Sequence, residues 1–174
     1  MVVFLLLKRY KIPQNDGNTQ LSQHIFYPLM KSKVFWWACV VLWCGLIFYM
    51  SSNSADESSN KSLFIASLLN CWIKSLFGPH AFTLSEEVVR KCAHFIEYLV
   101  LGNLLFMGFL DRSRPSRGIL PVLAAGLLFA VSDELHQHFV PGRTMRPVDV
   151  LVDMAGIGTA VALLYRRMFG RKLR

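Results

Sequence analysis

Four stretches of this chain approach the roughly 20 apolar residues that a bilayer-spanning helix needs. They run over about 34–50, 92–110, 119–139 and 148–165. The first, VFWWACVVLWCGLIFYM, carries no charge. Each of the others is polar at one end only. The second holds His94 and Glu97, the third Asp133, Glu134, His136 and His138, and the fourth Asp149 and Asp153 in its first two turns. Between the first two spans the pattern changes. Residues 51–62 are polar, rich in serine and read as a loop. In 63–77 the apolar positions 65, 68, 69, 72, 73 and 76 share one helical face, while Ser67, Asn70, Lys74 and Ser75 fall elsewhere. That periodicity predicts an amphipathic helix on the outer membrane surface, with a lid over a site as the sharper alternative. Gly78-Pro79 closes it. Thr83 with Glu86 fits a capping box that opens the next helix, unbroken over about 84–110. At 1.5 Å per residue that helix is about 40 Å long, so it begins outside the bilayer.

Composition agrees. Hydrophobic residues make up 53% of the 174 and charged residues 17%, against about 25% charged in a soluble domain. This excludes a disordered chain and an ordinary cytosolic enzyme. The fold class expected is an all-α membrane protein: four transmembrane helices plus an extracytoplasmic amphipathic helix. The net charge of +8 would suit a nucleic-acid binder, but the basic residues flank apolar stretches, so no nucleic-acid partner is implied.

Charge also orients the chain. Lys8, Arg9, Lys11, Lys31 and Lys33 precede the first span, Arg112, Arg114 and Arg117 lie between the second and third, and Arg166, Arg167, Arg171, Lys172 and Arg174 follow the fourth. They outnumber Lys61, Lys74, Arg90, Lys91, Arg143 and Arg146 on the opposite side. The positive-inside rule puts both termini in the cytoplasm. Residues 1–33 then form a cytoplasmic segment, 34–165 the four-helix membrane domain and 166–174 a basic tail. The opening MVVFLLL is too short to span and lacks the order of a signal peptide. Met30, followed by Lys31, is a second plausible start of translation.

An ionisable group in hydrocarbon costs several kcal/mol unless paired or solvated. Three clusters need such a reason. Lys91, His94, Glu97 and Tyr98 share a helical face. Asp133 with Gln137, and Glu134 with His138, lie four apart, before a turn at Pro141-Gly142-Arg143 and then Arg146. Asp149 suits a helix N-terminus, whereas Asp153, one turn deeper, does not. Each cluster alone reads as a salt-bridge ladder or a wet helix end. In the deduced topology all three lie at one depth, and a shared polar pocket opening outward is the cheapest arrangement.

At these residues the chain resembles the VanZ-like membrane protein family. The matching pieces are Lys91-Cys92-Ala93-His94-Phe95-Ile96-Glu97-Tyr98 with Leu101-Gly102, Ser132-Asp133-Glu134-Leu135-His136-Gln137, Phe139-Val140-Pro141-Gly142-Arg143, Asp149-Val150 and 153–156. Trp43 and the run 46–52 resemble the family's first helix and serine stretch. Asp153 departs from the pattern, where asparagine is more usual. The resemblance implies a small bacterial cell-envelope protein of the plasma membrane. The family's namesake is associated with low-level resistance to the glycopeptide antibiotic teicoplanin, a phenotype rather than a reaction.

The expected function is binding of, or action on, an anionic cell-wall or lipid-linked ligand. Lys91, Arg143 and Arg146 would hold phosphate or carboxylate, with Gln137, Asp149, Asp153 and Tyr98 completing the ligand-binding set. If the protein is an enzyme, Glu134 or Glu97 is the candidate general base, beside Asp133, with His94 as its acid–base partner. No cofactor is implied. A metal held by His94, Glu97, Asp133, Glu134, His136 and His138 is a lesser variant, because the spacing matches no strong motif. A non-enzymatic scaffold is the main alternative, and a small transporter a weaker one that would need an oligomer. Cys39, Cys44, Cys71 and Cys92 form no metal motif; Cys71 and Cys92 could meet on the oxidising side.

Overall fold

Apolar runs long enough to cross a bilayer must satisfy their own backbone, which makes them helices. The computed structural model describes residues 32–111 and 113–169, of which 82% are helical and none is in a strand. Expectations for the segment up to Lys31, Met30 included, and for residues 170–174 lie outside the described residues. The helices are α1 (Lys33–Ser51), α2 (Ala55–Phe77), α3 (Glu86–Phe109), α4 (Ile119–His138) and α5 (Pro147–Phe169). A short 3-10 turn at Pro115–Gly118 precedes α4. Four of them, all but α2, are long and apolar enough to span a membrane. The outer faces bear that out: Val41, Leu42, Leu120, Leu128, Leu151 and Leu163 are exposed, as expected where the solvent is lipid.

The contacts fix an alternating arrangement. Trp37 meets Phe109 edge to face, and the Trp43 indole N–H donates to the Glu97 carbonyl at 2.9 Å. α1 and α3 are therefore antiparallel. Phe48 packs on Phe129 and His136, so α1 and α4 run the same way. α3 and α5 are parallel and approach backbone to backbone. A Cβ on Gly156 would sit 2.5 Å from the Phe95 carbonyl oxygen, and one on Gly102 would sit 2.9 Å from the Ile157 Cα. Tyr98, Leu101, Phe106, Val122 and Ile157 close the core.

Two helix starts differ from the pattern. The serine-rich stretch is helical from Ala55, because Ser54 and Glu57 form a capping box: Ser54 Oγ accepts from the Glu57 N–H and Glu57 returns to the Ser54 N–H. That reciprocal cap outweighs the weak helix propensity of serine. At α3 the N-cap is Ser85, which accepts from the Val88 N–H, and not Thr83. α2 ends at Gly78 with φ 93°. It leans on α3 through buried Ser62 and Ala66, and Asn70 bonds both the N–H and the carbonyl of Leu84. The four cysteines are free.

Candidate functional site

The polar residues gather where α1 and α4 finish and where α3 and α5 are in their first turns. The connection from α4 to α5 sets their positions. The N–H groups of Phe139 and Val140 bond back to the last turn of α4, and Gly142 adopts φ 76°, a left-handed conformation that glycine tolerates. The chain thereby folds Arg143 back over α4, and its Nη1 donates to Gln137 Oε1 at 2.7 Å. Three residues on, the Arg146 N–H donates to Glu134 Oε2 at 2.8 Å, just before Pro147 starts α5.

Behind this turn lies an enclosed layer. Asp133 is fully buried, and its Oδ2 accepts from Ser51 Oγ at 3.1 Å, Tyr98 OH at 3.3 Å and Gln137 Nε2 at 3.1 Å. Gln137 also donates to Ser51 Oγ at 3.3 Å. Among the described residues no cation touches the carboxylate; Gln137 bonds both it and Arg143. Beside this layer, His94 Nδ1 lies 3.5 Å from Asp153 Oδ1, with Asp153 fully buried. Neither atom makes a hydrogen bond among the described residues.

In front of the layer are two adjoining cavities. The smaller, about 90 Å³, is lined by Arg90, Lys91, His94, Gln137, Arg143, Arg146 and Asp149 among others. Its cations far outnumber its one carboxylate. Glu87 outside the rim takes Lys91 at 3.1 Å and Arg146 at 3.5 Å, both at exposed positions. Arg90 has no hydrogen-bond or ion-pair partner among the described residues. Burial lowers the Arg143 guanidinium from its usual value, and the like charge of Arg90 pushes the same way, against the pull of Asp133, Glu134 and Glu97. The larger cavity, about 440 Å³, is a groove between α2 and α3. It shares Arg90, His94 and Arg143 with the first and adds Glu97, whose carboxylate has no hydrogen-bond partner among the described residues. Phe64, Ile65, Val89 and Ala93 give it apolar surface, alongside Asn53, Ser58, Lys61 and Ser62.

A model of the VanZ/LLP1 family matches residues 36–169. The chain belongs to the VanZ/LLP1 family. The match takes in every side chain of the site. No curated protein and no solved structure matches the chain.

Within this VanZ/LLP1 chain the residues singled out from sequence divide into groups. Lys91, His94, Gln137, Arg143, Arg146 and Asp149 meet on the small cavity, and Glu97 lies on the groove. Tyr98, Asp133 and Asp153 are fully buried behind them. Glu134 lines neither cavity, because its carboxylate is taken by the turn's backbone. One of its oxygens, Oε2, is thus engaged by the turn, away from the two cavities. Among the described residues no three His, Cys, Asp or Glu side chains converge as metal ligands, and His136 pairs instead with Ser52 Oγ at 3.0 Å. Two residues were missed. Ser51 is a buried donor to Asp133, marked in the sequence by ending an apolar run and by its place in the serine stretch of the resemblance. Arg90 borders both cavities; its signal was its place one residue before Lys91 on a helix already read as polar.

Proposed function

We propose that this protein binds an anionic ligand, a phosphate or carboxylate of cell-wall or lipid-linked origin, in the small basic cavity. The observation that carries the reading is the surplus of cation there. Arg90 and Arg143 repel one another; Asp133, Glu134 and Glu97 offset this at Arg143 from outside the lining, where Asp149 is the one carboxylate. A bound anion would relieve that repulsion, and guanidinium groups suit phosphate and carboxylate oxygens. The excess of Lys and Arg at the opposite helix ends supports an orientation with both termini in the cytoplasm and the cavity outside. A reporter fused after Arg174 should be cytoplasmic; an external reporter would reverse the topology.

The binding test is calorimetric titration of inorganic phosphate into the full chain in phosphatidylcholine nanodiscs. Saturable binding, weakened at least about tenfold by Arg143→Gln, is the expected result. No saturable binding to the wild type would sink the reading. Its link to glycopeptide resistance is tested in a teicoplanin-sensitive Gram-positive host, with wild type and Arg143→Gln at matched membrane levels. Protection by the wild type alone supports the link, and equal protection removes the cavity from it.

A second reading, chemistry on the bound ligand, draws on His94. It borders both cavities with Asp153 behind it, an arrangement suited to passing a proton. Turnover that His94→Gln abolishes without loss of binding would favour it over a purely non-enzymatic binder.

A further inference from the structure

The small cavity does not stand alone. Arg90, His94 and Arg143 line both it and the groove between α2 and α3, so the two spaces meet at these side chains. Besides these, Glu97, Lys61 and the polar side chains of Asn53, Ser58 and Ser62, the groove also presents apolar surface. Phe64 and Ile65 of α2 face it from one side, Val89 and Ala93 of α3 from the other. Phe64 and Ile65 are more than 40% exposed, and Ala93 is exposed as well. A charged end continuous with an apolar trough is the complement of one amphipathic molecule, not of a free ion.

We propose that the anion bound here is the phosphate of a single-chain lipid, with its headgroup among Arg90, Arg143 and Arg146 and its chain in the groove between α2 and α3. This rests on the anion-binding reading above and names the class of ligand. A water-soluble phosphate would leave the trough unused. A neutral lipid would leave the Arg90 guanidinium without a partner among the described residues. The groove's helices suit such a ligand: α3 is one of the spanning helices and α2 presents Leu68, Leu69 and Trp72 exposed, so a lipid chain would enter without crossing water.

The test uses the full chain in phosphatidylcholine nanodiscs. Radiolabelled hexadecyl phosphate is the probe, hexadecanol the competitor lacking charge, and inorganic phosphate the ligand lacking a chain. Ala93→Trp fills the groove from α3 without touching the basic cavity. It should weaken hexadecyl phosphate binding about tenfold and leave inorganic phosphate binding unchanged, while hexadecanol fails to compete. Ile65→Trp narrows the groove from α2 and should do the same, which guards against misfolding of either variant. If both variants bind hexadecyl phosphate as the wild type does, or if hexadecanol competes equally, the lipid assignment is wrong. Inorganic phosphate binding that persists in that case leaves the anion site standing. Wild type that binds neither phosphate overturns both.

Discussion

Two polar groups share one end of the helices and handle charge in opposite ways. Around Asp133 a single buried carboxylate oxygen is met by Ser51, Tyr98 and Gln137, all neutral donors. Around the small cavity several cations face a space with one carboxylate among them. The first group answers one oxygen with neutral donors from its own helices, and Asp133 Oδ1 has no hydrogen-bond partner among the described residues. The second is answered in part, Lys91 and Arg146 by Glu87 and Arg143 by Gln137. Arg90 has no hydrogen-bond or ion-pair partner among the described residues, and a cation so placed at a cavity edge favours an anion from outside. The enclosed group joins α1, α3 and α4, and the open one is where the proposed anion would sit.

The largest effect that would break this contrast is on the enclosed side. Asp133→Ala strands the Ser51 and Tyr98 hydroxyl donors, each costing about 1–3 kcal/mol when unsatisfied, while Gln137 keeps Ser51 Oγ. Unfolding in detergent should show a loss of at least about 2 kcal/mol, with Asp133→Asn recovering part of it. Wild-type stability in Asp133→Ala would show that the layer holds nothing together. Arg90→Gln is the matching change on the open side. Its stability should stay within about 0.5 kcal/mol of wild type, since no partner is lost, while phosphate affinity falls at least about tenfold. A large loss of stability there would move Arg90 into the architecture. The smallest effect is expected at Glu87, which draws Lys91 and Arg146 to the rim. Glu87→Gln should leave unfolding unchanged and raise phosphate affinity about two- to threefold at low salt only, because exposed charges are screened. Titrations at two ionic strengths would check it.

The spans, and the fact that their polar residues share one end, were legible in the sequence because periodicity and charge report which face and which depth a residue occupies. Partners were not legible. Nothing in the sequence ties Ser51 to Asp133 or His94 to Asp153; those pairs arise from the packing of α1 on α4 and of α3 on α5. Glu134 looked equivalent to Asp133, yet one carboxylate turns to neighbouring helices and the other to the backbone of the following turn. The serine-rich stretch misled for a related reason. Its composition is loop-like, and only the reciprocal cap at Ser54 and Glu57 makes it the start of α2. Arg90 was passed over because spacing puts a residue on a helix without saying which space it borders.

α2 is anchored in two places. Its first residue, Ala55, donates its N–H to the Pro141 carbonyl at 3.2 Å, and a Cβ on Gly142 would come 3.0 Å from the Ala55 Cβ. Further along, Asn70 makes two bonds to Leu84. Phe64 and Ile65, the apolar wall of the groove, lie between these anchors. Anchors on both sides of the trough hold α2 as its wall in this structure. The width of the groove is set when the chain folds. The loss of freedom needed to shape it then precedes any encounter, and a guest entering it meets a preorganised surface.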